Sequence, residues 1–311
     1  MPPEKCLRSL MFAAVACVLY LTIAVPGHSA SAKVGPRALV VVAHPDDEYE
    51  MAGTIYHLAE ELSGRVDQII ITDGEAGFRY SSLAERYYGM KLTDEAEGRR
   101  ELPRIRREEA HHSAKVLGIE HQWFLNEKDD HFTLDAGEVL KTCWNRGRVL
   151  NSVRQHLREG NYDYIFILLP DADTHGAHKA ASILTLEAVS ELPVERRPVV
   201  LAAKASNISG EAFDQLPDFP ITQTSEAKPF AHFDRDSKFG YNDSLTYQIV
   251  VDWVIAEHKS QGLFQNRCRQ DRYEDFWTFQ VSRHFSSQRG APNELIKIFA
   301  PQGSTSTNEE R

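Results

Sequence analysis

Hydrophobic residues fall into short unbroken runs separated by amphipathic stretches. Ala38 to Ala43, Val66 to Thr72, Gln122 to Leu125, Tyr164 to Leu169 and Pro198 to Ala203 read as strands. The most apolar of them lack polar alternation, which predicts burial on both faces. Between the runs the spacing becomes helical. Met51, Ile55, Leu58 and Leu62 mark one face of a helix over Tyr49 to Leu62. Further helices are expected over Leu102 to Leu117, closed by Gly118 as a C-cap, over Val149 to Glu159, and over Ala177 to Ser190. Strands alternating with helices predict an α/β, Rossmann-like fold: a mainly parallel sheet with helices on both faces. Glu75 to Arg100 has no clean period and reads as a long polar surface excursion. After Lys204 the pattern changes. Asn207 to Arg235 is irregular, and Asp243 to Gln261 reads as one long amphipathic helix.

The two ends stand apart from this alternation. Lys5 and Arg8 precede an apolar run from Leu10 to Val25, and Ala30-Ser31-Ala32 offers a small-residue cleavage pattern. Residues 1–32 therefore read as a signal peptide. The run is short for a membrane span, which takes about 20 apolar residues; an uncleaved N-terminal anchor is the alternative. Residues 301–311 are polar and read as a flexible tail, which leaves 33–300 as one catalytic domain. This organisation predicts an exported protein, periplasmic or extracellular, with no stable membrane span after cleavage. Of four cysteines, only Cys143 and Cys268 lie beyond the signal. They either pair in an oxidising compartment or remain two separate buried thiols. The formal charge of −10 argues against nucleic acid as a partner.

The chemistry sits at two strand ends. His44-Pro45-Asp46-Asp47-Glu48 follows the first strand, and Asp171-Ala172-Asp173-Thr174-His175-Gly176-Ala177-His178 follows the fourth. In an open parallel sheet the carboxyl ends of the strands share one edge, and ligands bind there. The two clusters are thus expected to face each other across a crevice. Imidazole and carboxylate are good zinc ligands, and a catalytic zinc takes three protein ligands. His44 and Asp47 with one histidine of the second cluster make such a set and leave Asp46 as a general base. Zinc in that position lowers the pKa of water and polarises a substrate carbonyl. The bland reading of each cluster alone is a helix cap or a surface His-x-x-His; two clusters at matching strand ends are harder to explain that way.

Val41-Val42-Ala43-His44-Pro45-Asp46-Asp47-Glu48 resembles the signature of the LmbE-like, or PIG-L, deacetylase family. Thr72-Asp73-Gly74-Glu75-Ala76-Gly77, Arg106-Arg107-Glu108-Glu109-Ala110 and His258-Lys259-Ser260-Gln261 resemble later, weaker family motifs in the same order. The resemblance covers Ala38 to Gln261. It implies a Rossmann-like zinc hydrolase that removes the acetyl group from N-acetylglucosamine-containing conjugates, with one Zn2+ per chain. It assigns His44, Asp47 and His178 to zinc, Asp46 to the general base, and His175 to the oxyanion or the leaving amine. It suggests Arg106 and Glu75 as substrate contacts. For Arg106 a helix charge paired with Glu109 is the competing reading, for Glu75 a turn cap, and for His258 a packing role. One departure matters. Many members carry His-Pro-Asp-His where this chain has His175-Gly176-Ala177-His178, so the carboxylate between the two histidines that could orient the zinc-bound one is missing here. Hydrolysis of another amide or an ester fits the same motifs. A secreted carbohydrate-binding protein without catalysis fits less well, because every expected catalytic residue is intact.

Overall fold

A computed structural model describes residues 35–300 apart from 214, 263 and 283–296. The expected signal segment and tail lie outside the described residues. The first strand, β1 (Arg37–Val42), is buried beyond its first residue. Leu39 and Val41 enter one hydrophobic cluster, and Ala38, Val40 and Val42 enter another on the opposite face. A strand that is apolar from Ala38 onward thus still has a period of two, with each half facing its own core.

The chain then leaves β1 through a 3-10 turn (Asp47–Met51), α1 (Ala52–Tyr56) and a π turn (His57–Glu61). The single helix expected over Tyr49 to Leu62 is in fact these three pieces. After β2 (Arg65–Thr72) the expected excursion is ordered. It contains a 3-10 turn (Glu75–Tyr80) and α2 (Ser82–Tyr88). Phe78, Ala84 and Leu92 pack with Leu102 and Ile105 in a small cluster of their own. The long helix α3 (Glu95–Leu117) begins well before Leu102, capped by Asp94, whose carboxylate accepts from the Glu97 N–H at 2.9 Å. Pro103 lies inside it, where it removes one N–H.

Next come β3 (Ile119–Glu127), a short α4 (Ala136–Glu138) running into a π turn (Val139–Cys143), α5 (Arg146–Gly160), β4 (Tyr164–Leu168), α6 (Gly176–Ser190) and β5 (Val199–Ser206). The segment after β5, expected to be irregular, holds β6 (Ala231–Asp234) and a small hairpin of β7 (Lys238–Phe239) and β8 (Leu245–Thr246). The long helix is shorter than expected, α7 (Tyr247–Glu257), and a last strand, β9 (Tyr273–Thr278), follows it.

The strands order as β3-β2-β1-β4-β5-β9-β6 in one seven-stranded sheet. β1 to β5 are parallel, and β9 and β6 add an antiparallel edge. α5 and α6 cover one face; α1, α3 and α7 cover the other. This is the mostly parallel, doubly covered architecture read from the alternation of runs. The direction of winding reverses between β1 and β4, which makes their carboxyl ends the switch point. Cys143 and Cys268 are free; Cys143 is half-buried and Cys268 exposed, so neither of their expected arrangements holds. No helix among the described residues is long and apolar enough to cross a membrane.

Candidate metal centre and active-site cleft

The first motif leaves β1 in a turn that folds back on itself. Asp47 Oδ2 accepts from the backbone N–H groups of Ala43 and His44, at 2.9 and 2.8 Å. That leaves Oδ1 facing the histidines. Asp47 Oδ1 lies 3.5 Å from His44 Nδ1 and 3.1 Å from His178 Nε2, and the two ring nitrogens are 3.1 Å apart. Three donor atoms from the ends of β1 and β4 therefore form a near-equilateral triangle. Ligands about 2.0–2.1 Å from a tetrahedral zinc stand roughly 3.3–3.4 Å from one another. A single proton can bridge only one edge of such a triangle, whereas a divalent cation serves all three corners. His44, Asp47 and His178 thus fit a metal ion.

The surrounding groups hold these side chains in place. The other nitrogen of His178, Nδ1, pairs with Thr174 Oγ1 at 3.1 Å. A hydroxyl from the turn before α6 fills the position for which no carboxylate was evident in the sequence. His44 Nε2 faces Asp129 Oδ1 at 3.7 Å. Asp129 is buried, and its Oδ2 accepts from the Ala76 N–H at 3.2 Å. His44, Asp129 and His175 form a second group of possible ligands on the far side of the His44 ring. Its one short approach is the 3.7 Å contact, so the tighter Asp47 set is the better cation site.

Charge in the pocket is arranged for a cation. Burial would lower the His44 pKa, but the carboxylates of Asp47 and Asp129 flank the ring and raise it to about 10. Burial opposes ionisation of Asp47, yet His178 and His44 hold it well below the usual carboxylate range. Against the same burial, His44, Arg106 and His175 bring Asp129 down to about 2. Asp46 behaves differently. Burial raises it, Arg106 opposes the rise, and Asp47 reinforces it.

Asp46 is set by α3. Its Oδ1 accepts from Arg106 Nη2 at 2.9 Å. The same guanidinium donates to Gly74 O at 2.6 Å and Pro45 O at 3.1 Å, tying together the loops after β1 and β2. Gly74 has φ of +67°, and a Cβ there would lie 2.2 Å from Arg106 Nη1, so this crossing requires glycine. Arg106 is buried. Glu109 is engaged elsewhere, accepting from the Ser260 N–H and Oγ at 2.8 and 2.6 Å and from the Tyr88 hydroxyl at 2.7 Å. His175 stands at the N-cap of α6, where Nδ1 accepts from the Ala177 N–H at 3.0 Å. Its neutral tautomer therefore carries the proton on Nε2. Burial, then His44 and His178, lower its pKa to about 3.

His44, Asp46, Asp47, Arg106, His175 and His178 all line one cleft of about 260 Å³. Glu75 does not. Its Oε1 accepts from the Asp129 N–H at 3.1 Å, so it fixes the loop that presents Asp129. His258 is fully buried and donates through Nε2 to Glu48 Oε1 at 2.8 Å, outside the cleft lining. Asp129 and Thr174 join the site through His44 and His178 without standing out in the sequence. Thr174 lies within the second motif. Asp129 sits in a charged run, Glu127-Lys128-Asp129-Asp130-His131, that resembles a solvated turn. The signal available was positional: it follows the end of β3, on the same sheet edge as the two motifs.

A trio that fits a metal ion, a carboxylate held beside it by Arg106 and a cleft at the switch point define a metal-dependent hydrolase. The family comparison agrees. Residues 39–189 match the sequence model of PIG-L, described as GlcNAc-PI de-N-acetylase, and the chain has the PIG-L/LmbE-like deacetylase fold. It is similar to a probable N-acetyl-alpha-D-glucosaminyl L-malate deacetylase 2 of Bacillus cereus, at 28% identity over 244 residues, spanning 78% of this chain and 98% of that protein. A protein of the same description from Bacillus anthracis is 23% identical over 232 residues, spanning 71% and 92%. Among solved structures, the N,N'-diacetylchitobiose deacetylase of Pyrococcus horikoshii superposes with a TM-score of 0.50 at 19% identity, covering 80% of this chain and 85% of the other.

Proposed function

We propose that this protein is a zinc-dependent hydrolase that removes the acetyl group from an N-acetylglucosamine-containing conjugate. The observation that carries the reading is the triangle of His44 Nδ1, Asp47 Oδ1 and His178 Nε2 with Asp46 anchored beside it. One Zn2+ per chain, held by those three residues, would supply Lewis-acid polarisation of the amide carbonyl and of the attacking water. Arg106 holds one oxygen of Asp46, which leaves the other to take a proton from that water. The water oxygen adds to the carbonyl carbon, the C–N bond breaks, and Asp46 returns the proton to the leaving nitrogen. His175 Nε2–H then has a single task, donating a hydrogen bond to the oxygen that gains negative charge. The Ala177 N–H on Nδ1 favours this over proton delivery to the amine, because a neutral imidazole that gave up its only proton would be left as an anion. Arg106 takes part by orienting Asp46 and by lining the cleft; Glu75 acts from behind, through Asp129.

The relatives' printed substrates, N-acetylated glucosamine conjugates, support the acyl group and the sugar. The apolar run before Ala30-Ser31-Ala32 supports export. The test is acetate release from a panel of N-acetylglucosamine conjugates, with and without chelator. Equimolar acetate and free amine are expected, lost on chelation and restored by zinc. Release of a different acid from other amides or esters, with none from the acetylated sugars, would replace this reading by that of another metal-dependent hydrolase.

A further inference from the structure

The loop between β3 and α4 runs past the N-terminus of α6, and its backbone is held from two helices. Arg99 of α3 donates through Nη1 to Asp129 O at 3.1 Å and through Nη2 to Asp130 O at 2.8 Å. From α6 the Gly176 N–H donates to Thr133 O at 2.7 Å, and Lys179 Nζ donates to Leu134 O at 2.9 Å and to Ala172 O. Lys179 is buried, so an ammonium is taken out of water to hold backbone carbonyls. Gly176 is fitted to this contact. A Cβ there would lie 2.9 Å from Asp135 O and 3.1 Å from Thr133 O, and a proline would have no N–H to give Thr133. Proline stands at that position in the His-Pro-Asp-His form of the motif, so the change to glycine and the docked loop go together.

Between the two clamps stands Phe132. Its ring meets that of His175 edge to face, with centroids 4.9 Å apart and planes at 66°. His44 and His178 also flank that imidazole, at 5.2 and 5.5 Å. The Ala177 N–H on Nδ1 sets which nitrogen of His175 carries the proton, but one hydrogen bond does not fix the tilt of the ring. A second ring packed against it does. Phe132 is 61% exposed, so burial gives it little part in the core, yet its loop is clamped on both sides.

We propose that Phe132 is a positioning residue for His175, and that the loop of residues 128–135, docked through Gly176 and Lys179, keeps it in place. The inference rests on the deacetylase reading, in which His175 Nε2–H must meet the oxygen that gains negative charge. It gives Phe132 no contact with the reacting atoms.

The zinc-loaded full chain is assayed on N,N'-diacetylchitobiose. Phe132→Ala should lower kcat by about ten- to a hundredfold, less than the hundred- to thousandfold expected when an oxyanion donor is removed outright. KM and zinc per chain should stay the same. Phe132→Tyr keeps the ring and should restore kcat. Gly176→Ala presses on the loop from α6 and should act in the same direction as Phe132→Ala. In a His175→Ala background, adding Phe132→Ala should cause no further loss, because nothing is left to position. A raised KM at unchanged kcat would make Phe132 a substrate contact and overturn the proposal, as would losses that multiply in the double variant. Nitrogen-15 spectra of the histidine rings, recorded without substrate, give a readout independent of turnover. His175 should show one tautomer, protonated on Nε2, and Phe132→Ala should add the Nδ1-protonated form. That change, with no acetate released from any conjugate by the unmodified protein, keeps the role of Phe132 and removes the deacetylase. Acetate release by the unmodified protein, with kcat and the His175 signals unaltered in Phe132→Ala, does the reverse.

Discussion

Asp46 and Asp47 are neighbours in sequence with opposite surroundings. Asp47 gives one oxygen to two backbone N–H groups and the other to two imidazoles, whereas Asp46 turns to Arg106. The division of labour follows from these partners. Asp46→Asn keeps the shape and removes the proposed proton acceptor. It should lower turnover by about a hundred- to ten-thousandfold while zinc per chain, read by elemental analysis, stays the same. Loss of metal in that variant would move Asp46 into the ligand set. Thr174 tests the support around the trio. Thr174→Val removes the partner of His178 Nδ1 and should weaken metal affinity by roughly ten- to a hundredfold in chelator competition. Unchanged affinity would mean that the hydroxyl does not orient the ring. The candidate residues that the sequence made legible are those packed into compact motifs at strand ends, as in His44 to Glu48. Asp129 is not legible in the same way, because its burial depends on Glu75 and Ala76 of another loop, and long-range enclosure leaves no local pattern.

At the scale of elements, the backbone after β1 is irregular, passing through 3-10, α and π turns within fifteen residues, Asp47 to Glu61. What fixes it comes from the far end of the chain. Glu274 of β9 accepts from Gly53 N, Thr54 N and Thr54 Oγ1 at 2.8, 2.9 and 2.6 Å, and from Arg235 Nε at 2.9 Å. Arg235 also donates to Tyr49 O at 2.6 Å, and both charged side chains are fully buried. Breaking one partner of such a pair leaves the other charge buried alone. Glu274→Leu should therefore destabilise the protein by about 3–5 kcal/mol, measured as the urea midpoint at constant slope. A loss below about 1 kcal/mol would show that the turn holds without it. The same network explains what the sequence concealed. β1, β2, β4 and β5 were legible as apolar runs. β9, with the sequence YEDFWT, buries Glu274 and Asp275 on partners contributed by distant loops, so it has no hydrophobic signature despite lying in the sheet. β6 is only four residues long and begins Ala-His, which carries too little pattern to stand out.

For the molecule as a whole, the trio spans the switch point. His44 and Asp47 belong to the half built on β1, β2 and β3, and His178 belongs to the half that starts at β4. A metal ion there would join the two halves at one edge of the sheet. Folding is not expected to depend on it, because each face has its own continuous hydrophobic cluster running across both halves. This separates the protein from small domains that unfold without zinc. Chelation should therefore leave a cooperatively folded protein with a lower melting temperature. Any ligand that binds only the native state adds RT ln(1 + [L]/Kd), about 4 kcal/mol when free metal is a thousand times Kd. For a chain of this size each kcal/mol moves Tm by roughly 2–4 °C, so saturating zinc should raise Tm by on the order of 10 °C. His178→Ala breaks the span and should abolish the zinc-dependent shift, while its metal-free Tm stays near that of the chelated parent. Two outcomes would contradict this account: loss of the unfolding transition on chelation, which would make the metal structural, or a full zinc shift retained in His178→Ala, which would place the cation on His44, Asp129 and His175 instead.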